Sequence, residues 1–236
     1  MNIALIIAGG AGERMGQDIP KQFLTVNEKP IIVYTMEAFQ KHPQIDEIAV
    51  VCIEGWEKTL RAYASQFNID KLKQVFPGGS NGQSSIRNGV MGLIDTHDKE
   101  DIVLVHDAIR PMVSEEIISD CLIKTEQYGS AITVIPCAEA MLETKDSETS
   151  QSSYPRNNLK RTQTPQGFRL GDLASLHEEA LEKGITNSIA NCTLMVELGH
   201  SVHFSKGSEK NIKLTTVEDL DIFKALLAVK RADWLK

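Results

Sequence analysis

Short apolar runs alternate with amphipathic stretches along most of this 236-residue chain, and that alternation restricts the fold more than any other feature. Ile3–Ile7, Ile48–Ile53 (IAVVCI), Ile102–Val105 (IVLV) and Ala131–Ile135 (AITVI) are brief and free of charge. Such runs suit strands buried on both faces. Between them lie helix-like segments. PIIVYTMEAFQKH starts at Pro30, placed at a first helical position, and Trp56–Phe67 follows. Gln83–Ile94 comes after the turn Pro77–Gly78–Gly79, and Ser114–Glu115–Glu116 opens another helix. Thr215 and Glu218 have capping-box spacing ahead of the last helix, LDIFKALLAVK. Strands alternating with helices predict an α/β fold with a mostly parallel sheet covered on both faces.

The rhythm breaks at about residues 138–165. AEAMLETKDSETSQSSYPRNNLKRTQTPQ is polar, rich in Ser and Thr, and has no helical stripe. A compact domain rarely carries so long an irregular segment without a use for it. It reads as a protruding β-arm that grips a second subunit; the alternative is a mobile surface loop. The length fits one domain, residues 1–236, with the arm as an excursion.

Charge and cysteine content narrow the function classes. Twenty-five Lys and Arg against 32 Asp and Glu leave a formal charge of −7, which argues against a nucleic-acid binder but not against a local basic pocket for a small anion. No apolar run approaches the ~20 residues of a membrane span. The start, MNIALIIAGG, lacks a basic segment and runs into glycines, so it does not read as a signal peptide. Cys52, Cys121, Cys137 and Cys192 form no CxxC pair. Neither a zinc site nor a disulfide framework is expected, and the cytoplasm is the expected compartment.

Four segments carry candidate chemistry. The first is Ala8-Gly-Gly-Ala-Gly-Glu-Arg-Met-Gly16, directly after the first strand. Glycines at a strand end let backbone N–H groups approach phosphate oxygens. The spacing is G-x-G-x-x-x-G, which is neither the dinucleotide fingerprint nor a P-loop. Arg14 lies inside the loop and Lys21 just beyond it, two cations suited to a polyphosphate; a plain structural turn is the alternative. The second is His106-Asp-Ala-Ile-Arg-Pro111. Asp107, at a strand end near phosphates, is placed to hold Mg²⁺; the alternative is a structural ion pair between Asp107 and Arg110. The third is Gly78-Gly79-Ser80 with Ser84-Ser85, read as contact with a base or ribose or, equally, as a turn with an N-cap serine. The fourth is Asn211-Ile-Lys213-Leu-Thr-Thr216, where Lys213 completes a phosphate pocket or is a solvated strand-end lysine. His200 and His203 lack carboxylate or thiol company, so no metal site is read there. Trp56, Trp234 and the methionines read as packing residues.

Together, AGGAGERMG with PKQF, GG with SSIRNG, VHDAIRP, TPQGF and NIKLTTVEDL resemble the cytidylyltransferases that make CDP-alcohols, from residue 8 to about 220. That family includes enzymes acting on 2-C-methyl-D-erythritol 4-phosphate and on ribitol 5-phosphate. The resemblance implies a Rossmann-like sheet, a dimer built by the β-arm, CTP as substrate and Mg²⁺ as cofactor. It implies that Arg14 and Lys21 grip the triphosphate and that Lys213 acts at the reacting phosphates. Ala8, Gly9 and Gly10 would lie along the nucleotide with Ala108, Gly79 and Ser85 would face the cytosine, and Asp107 would serve nucleotide and metal. Arg156 of the neighbouring subunit, with Arg110 and Thr164, would meet the phosphorylated alcohol. Three departures fall largely on the alcohol side. Glu139-Ala140 replaces an Asp-Thr pair, Ala190 stands where the methylerythritol enzymes carry Asp, and Gly82 stands where they carry Arg. Trp56 and GSEKNIKLTTVEDL lean toward the ribitol-phosphate branch.

The expected reaction is CTP plus a polyol phosphate giving a CDP-polyol and pyrophosphate. The alternatives are the same chemistry on methylerythritol phosphate, a sugar-phosphate nucleotidyltransferase using UTP or GTP, and a non-catalytic nucleotide-binding subunit.

Overall fold

The computed structural model describes residues 1–10 and 19–230. Its centre is a seven-stranded sheet made of β1 (Asn2–Ala8), β4 (Glu47–Cys52), β5 (Leu72–Pro77), β6 (Ile102–Asp107), β7 (Ser130–Pro136), β10 (Lys160–Arg169) and β11 (Phe204–Lys206). The order is β11-β7-β10-β6-β1-β4-β5, and β10 alone runs antiparallel to its neighbours. The short strands β2 (Thr25–Val26) and β3 (Lys29–Pro30) pair with each other, as do β8 (Met141–Glu143) and β9 (Ser152–Tyr154).

Successive strand residues face opposite ways, and that periodicity divides the core into two layers. Ala4, Ile6, Ile48, Val50 and Leu104 pack under α1 (Ile31–Lys41), α2 (Glu57–Gln66) and α4 (Glu115–Tyr128). Ile3, Leu5, Ala49, Val51, Val103 and Val105 pack under α3 (Gly82–Ile94), α5 (Leu170–Glu182) and α6 (Asn191–Glu197). Both faces of β1, β4 and β6 are therefore dry, which is why these strands are uninterrupted apolar runs. The last helix, α7 (Val217–Lys230), covers a smaller cluster around Val26, Ile31, Met112 and Phe223. Among the described residues no helix is long and apolar enough to cross a membrane.

Three expectations are corrected. Pro30 is the N-cap of α1, with extended backbone, and Ile31 is the first helical residue. The last helix is capped one residue later than expected: the Asp219 carboxylate accepts from the Thr215 and Thr216 N–H groups, and Thr216 Oγ1 accepts from Asp219 N. Asp219 thus takes the role expected of Glu218. The polar segment is divided. Its first part forms the exposed hairpin β8–β9, but Lys160–Pro165 already belongs to β10 inside the sheet. The Gln163, Thr164 and Gln166 side chains are satisfied by hydrogen bonds at the end of the sheet, so burial does not require them to be apolar. Lys160 pairs with Pro136, so the two ends of the hairpin excursion meet across adjacent strands.

Candidate active site

The C-terminal ends of β1 and β6 lie side by side, with Ile7 opposite Asp107 and Ala108 N donating to Ile7 O at 3.1 Å. This is the end at which open α/β sheets bind ligands. Ala8 is buried there, and Gly9 and Gly10 begin the turn. Buried Gln22 shapes that turn, donating from Nε2 to Ala8 O at 2.8 Å and to Gly10 O at 3.0 Å. Lys21, half-buried, opens the 3-10 turn Lys21–Phe23 at the same place. Arg14 lies outside the described residues.

The two glycine turns touch. A Cβ on Gly78 would stand 3.2 Å from Gly9 Cα, and one on Gly9 would stand 2.9 Å from Ser85 Oγ. Side chains there would force the turns apart, so glycine serves close backbone approach at these positions. The hydroxyls of the second turn are engaged locally. Ser85 Oγ accepts from Gly79 N at 2.9 Å and donates to Asn81 O at 2.8 Å. Asn81, rather than a serine, is the N-cap of α3, and Ser84 completes the capping box. Gly82, the first residue of α3, lines the neighbouring cleft with open space where a Cβ would sit.

Asp107 gathers the charged groups. Lys213 Nζ lies 3.0 Å from its Oδ1 and Arg110 Nε 3.0 Å from its Oδ2. The pairing with Arg110 and the convergence with Lys213 therefore occur together. Burial alone would raise the Asp107 carboxyl, but the Lys213 ammonium and the Arg110 guanidinium outweigh it and hold it at about 2. Arg110 also donates to Asn211 O at 2.7 Å, and Leu214 N to Ile109 O at 2.9 Å, which docks the Lys213 segment onto the turn after β6. Fully buried Asn211 donates from Nδ2 to Thr164 O at 2.8 Å, and Gln163 clasps Ser208 through both ends of its amide. Thr164 Oγ1 accepts from Asp107 N at 3.1 Å, and the bond Thr164–Pro165 is cis. Behind Asp107, His106 is fully buried, and desolvation drives its imidazole down to about 4 against the Asp107 charge.

A cavity of about 320 Å³ opens over this cluster, lined by Ile86, Asp107, Arg110, Thr164, Ala190 and Lys213, among others. Ile189, on its rim, is 96% exposed. A slightly larger hollow, about 380 Å³, sits at the opposite end of the sheet beside Tyr128, Phe168 and His203. It contains no Lys or Arg, so phosphate chemistry belongs to the smaller cavity. Arg156 does not reach the cleft of its own chain; it donates to Ala138 O at 2.8 Å at the foot of the hairpin. Among the described residues no three His, Cys, Asp or Glu side chains converge on a metal position. The sequence reading missed Gln22, His106, Gln163 and Asn211. Their one signal is polarity inside or beside apolar or glycine-bearing motifs.

Comparison with known proteins agrees with this geometry. The family model described as "IspD: 2-C-methyl-D-erythritol 4-phosphate cytidylyltransferase" matches residues 2–229. A ribitol-5-phosphate cytidylyltransferase of Lacticaseibacillus paracasei is 46% identical over 98% of this chain and 99% of its own length. One from Vibrio parahaemolyticus is 40% identical over 96% of each. The crystal structure of Francisella tularensis 2-C-methyl-D-erythritol 4-phosphate cytidylyltransferase superposes with a TM-score of 0.80 at 28% identity, over 95% of this chain and 99% of that one. With a matching model over nearly its whole length and relatives of almost equal span, the chain belongs to the IspD family of cytidylyltransferases.

Proposed function

We propose that this chain transfers the cytidylyl group of CTP to the phosphate of a polyol phosphate of the ribitol 5-phosphate kind, giving a CDP-polyol and pyrophosphate. The observation that carries this reading is Asp107, held ionised between Lys213 and Arg110 beside two touching glycine turns. The names of the two relatives above support the choice of acceptor. A phosphate oxygen of the acceptor attacks the α-phosphorus of CTP. The bond from that phosphorus to the bridging oxygen breaks, and pyrophosphate leaves with the electron pair. The acceptor phosphate is largely dianionic near neutral pH, so no strong base is required. The obstacle is repulsion between two anions, which positioning and fixed cations overcome. Arg14 and Lys21 grip the triphosphate, and Lys213 and Arg110 offset charge at the reacting phosphates. Ala8, Gly9, Gly10 and Ala108 follow the nucleotide, and the Gly79–Ser85 turn faces the base.

Asp107 fits a role in holding Mg²⁺. It is an ionised carboxylate in the cleft, and each oxygen keeps a lone pair beyond the one facing its cation. Mg²⁺ takes one or two carboxylates plus substrate phosphates, and when bound it supplies charge neutralisation on the phosphates. The whole chain acts as one unit, and the hairpin grips a second copy. Exposed Met141, Leu142 and Tyr154 on that hairpin support this, as does an Arg156 that lies outside its own cleft, at the foot of the hairpin, where it would serve the partner's acceptor site. Four unpaired cysteines fit a reducing cytoplasm.

The family description favours a second reading, the same transfer to methylerythritol phosphate. Small Ala190 and Gly82 on the cavity wall, in place of the Asp and Arg of those enzymes, weigh against it. A panel of phosphorylated alcohols with CTP and Mg²⁺, scored by pyrophosphate release, tests both. Ribitol 5-phosphate should give the highest kcat/KM. A preference for methylerythritol phosphate would support the second reading, and no pyrophosphate from any acceptor would sink both. Competition among the four NTPs should leave CTP preferred.

A further inference from the structure

The hollow of about 380 Å³ at the far end of the sheet holds no residue of the transfer site, yet it has the size and the mixed lining of a small-molecule site. Its floor is apolar, with Phe168, Leu173 and Leu176 buried there. One wall is aromatic, the Tyr128 and His203 rings lying 4.5 Å apart and stacked at 8°. Two carboxylates of α5, Asp172 and Glu179, also line it, and no Lys or Arg does. Glu179 is already occupied: Lys183 Nζ lies 2.7 Å from its Oε1 and His200 Nε2 lies 3.4 Å from its Oε2. Asp172 is not. It makes no ion pair and no hydrogen bond among the described residues. Its Oδ2 stands 4.0 Å from where a Cβ on Gly129 would be, beside the start of β7. The next residue, Ser130, pairs with Phe168 across the sheet and is only 6% exposed, and its hydroxyl has no partner either. A polar atom sealed in the protein without a partner is costly. The Ser130 oxygen avoids that cost because it is not sealed but opens into the hollow.

We propose that this hollow binds a small organic cation, an ammonium or amidinium group on an aromatic or short aliphatic body. The N–H groups of the cation donate to the Asp172 carboxylate and to the Ser130 oxygen, two acceptors that nothing in the protein satisfies. The body covers the floor of Phe168, Leu173 and Leu176, and a planar cation stacks on the aromatic wall. An anion would face two carboxylates with no Lys or Arg to receive it. A neutral apolar molecule would strip water from Asp172 and Ser130 and return no hydrogen bond. The hollow therefore selects the charge opposite to the one the phosphate cleft selects.

Benzamidine, with benzamide as its uncharged counterpart, tests this on the full chain, followed through backbone amide chemical shifts. Benzamidine should saturate with a Kd of about 1 mM or below, the affinity open to a ligand of its size. It should move the signals of Gly129, Ser130 and Phe168 and leave those of Ile7, Asp107 and Lys213 in place. Benzamide should bind at least about tenfold more weakly. Asp172→Asn removes the charge at an exposed position and should weaken benzamidine about tenfold with an unchanged melting temperature. Ser130→Ala should weaken it about threefold and gives a second readout should Asp172→Asn melt early. The proposal is overturned by an absence of saturable shifts, by benzamide binding as well as benzamidine, by shifts centred on the cleft, or by an Asp172→Asn chain with wild-type affinity. None of these readouts requires pyrophosphate release, so the inference stands or falls apart from the functional reading.

Discussion

Replacing Lys213 by Ala isolates the electrostatic argument. Its ammonium stands 3.0 Å from Asp107 Oδ1, and its side chain is 42% exposed. Two unit charges at that separation interact by roughly 1.4 kcal/mol in bulk water and about 5 kcal/mol at an effective dielectric of about 20. Solvent screening puts a half-exposed ammonium near the lower end, so its action on a phosphate oxygen at similar range is worth about 2 kcal/mol. That corresponds to a loss of about thirtyfold in kcat. Arg110 stays on the other carboxylate oxygen, so Asp107 remains ionised at neutral pH and the fold keeps its turn. A partly exposed ion pair contributes about 1 kcal/mol or less, which limits the fall in Tm to about 4 °C. The assay is continuous pyrophosphate release with CTP, Mg²⁺ and ribitol 5-phosphate, run beside a thermal melt. Lys213→Arg, which keeps the charge, should retain more turnover than Lys213→Ala. Turnover of Lys213→Ala within twofold of wild type would refute the reasoning. A Tm fall beyond about 10 °C would show that the lysine holds the fold rather than the reacting groups.

Lys21→Ala should lower kcat by about two orders of magnitude with an unchanged circular dichroism spectrum, as loss of an oriented transition-state cation does; near-full turnover would remove Lys21 from the catalytic set. Gly89→Ala would place a Cβ 2.6 Å from Val51 Cγ2 and 2.9 Å from Leu5 Cδ1, pushing α3 off the sheet. Overpacking of this kind costs about 1–3 kcal/mol, or roughly 2–12 °C in Tm, and an unchanged melt would contradict the close packing. His177 is fully buried, and desolvation drives its imidazole down to about 4, below the unfolded value near 6.5. The unfolded chain therefore binds its proton first, and stability present above pH 6.5 is lost as pH falls toward 4. His177→Leu should make that slope shallower in urea titrations at pH 7 and 4.5; an identical slope would rule out His177 as a source.

The strands legible in the sequence are those dry on both faces. β1, β4 and β6 had to be apolar throughout, and they read so. β5 (LKQVFP) lies at the sheet edge, half-exposed and mixed in character, and did not stand out as a run. β10 was hidden for a different reason. Its Thr162–Gln166 stretch is polar because it lines the cleft, and polarity in the middle of a sheet looks like loop until the partners of its side chains are known. The site divides in the same way. Asp107, Lys213 and the glycine turns sit in motifs with recognisable spacing. Gln22, His106, Gln163 and Asn211 brace them through backbone groups of distant segments, as when Asn211 reaches Thr164 O, and such partnerships leave no periodic trace. The capping of the last helix was read one residue early because Thr215 and Thr216 both have an acidic residue three positions on, and only geometry shows that Asp219 turns back to them.

The pairing of Pro136 with Lys160 has an evolutionary and practical corollary. Everything between them leaves and re-enters the sheet at one doorway, so a change in its length need not shift the register of the central sheet. A graft spanning 137–159, taken from another member of the family or trimmed to a tight turn, would exchange the outer decoration while the interior stayed in alignment. Because that doorway opens at the same end of the sheet as the cleft, such a graft would carry Arg156 and any grip on a second copy with it and leave the strand register untouched.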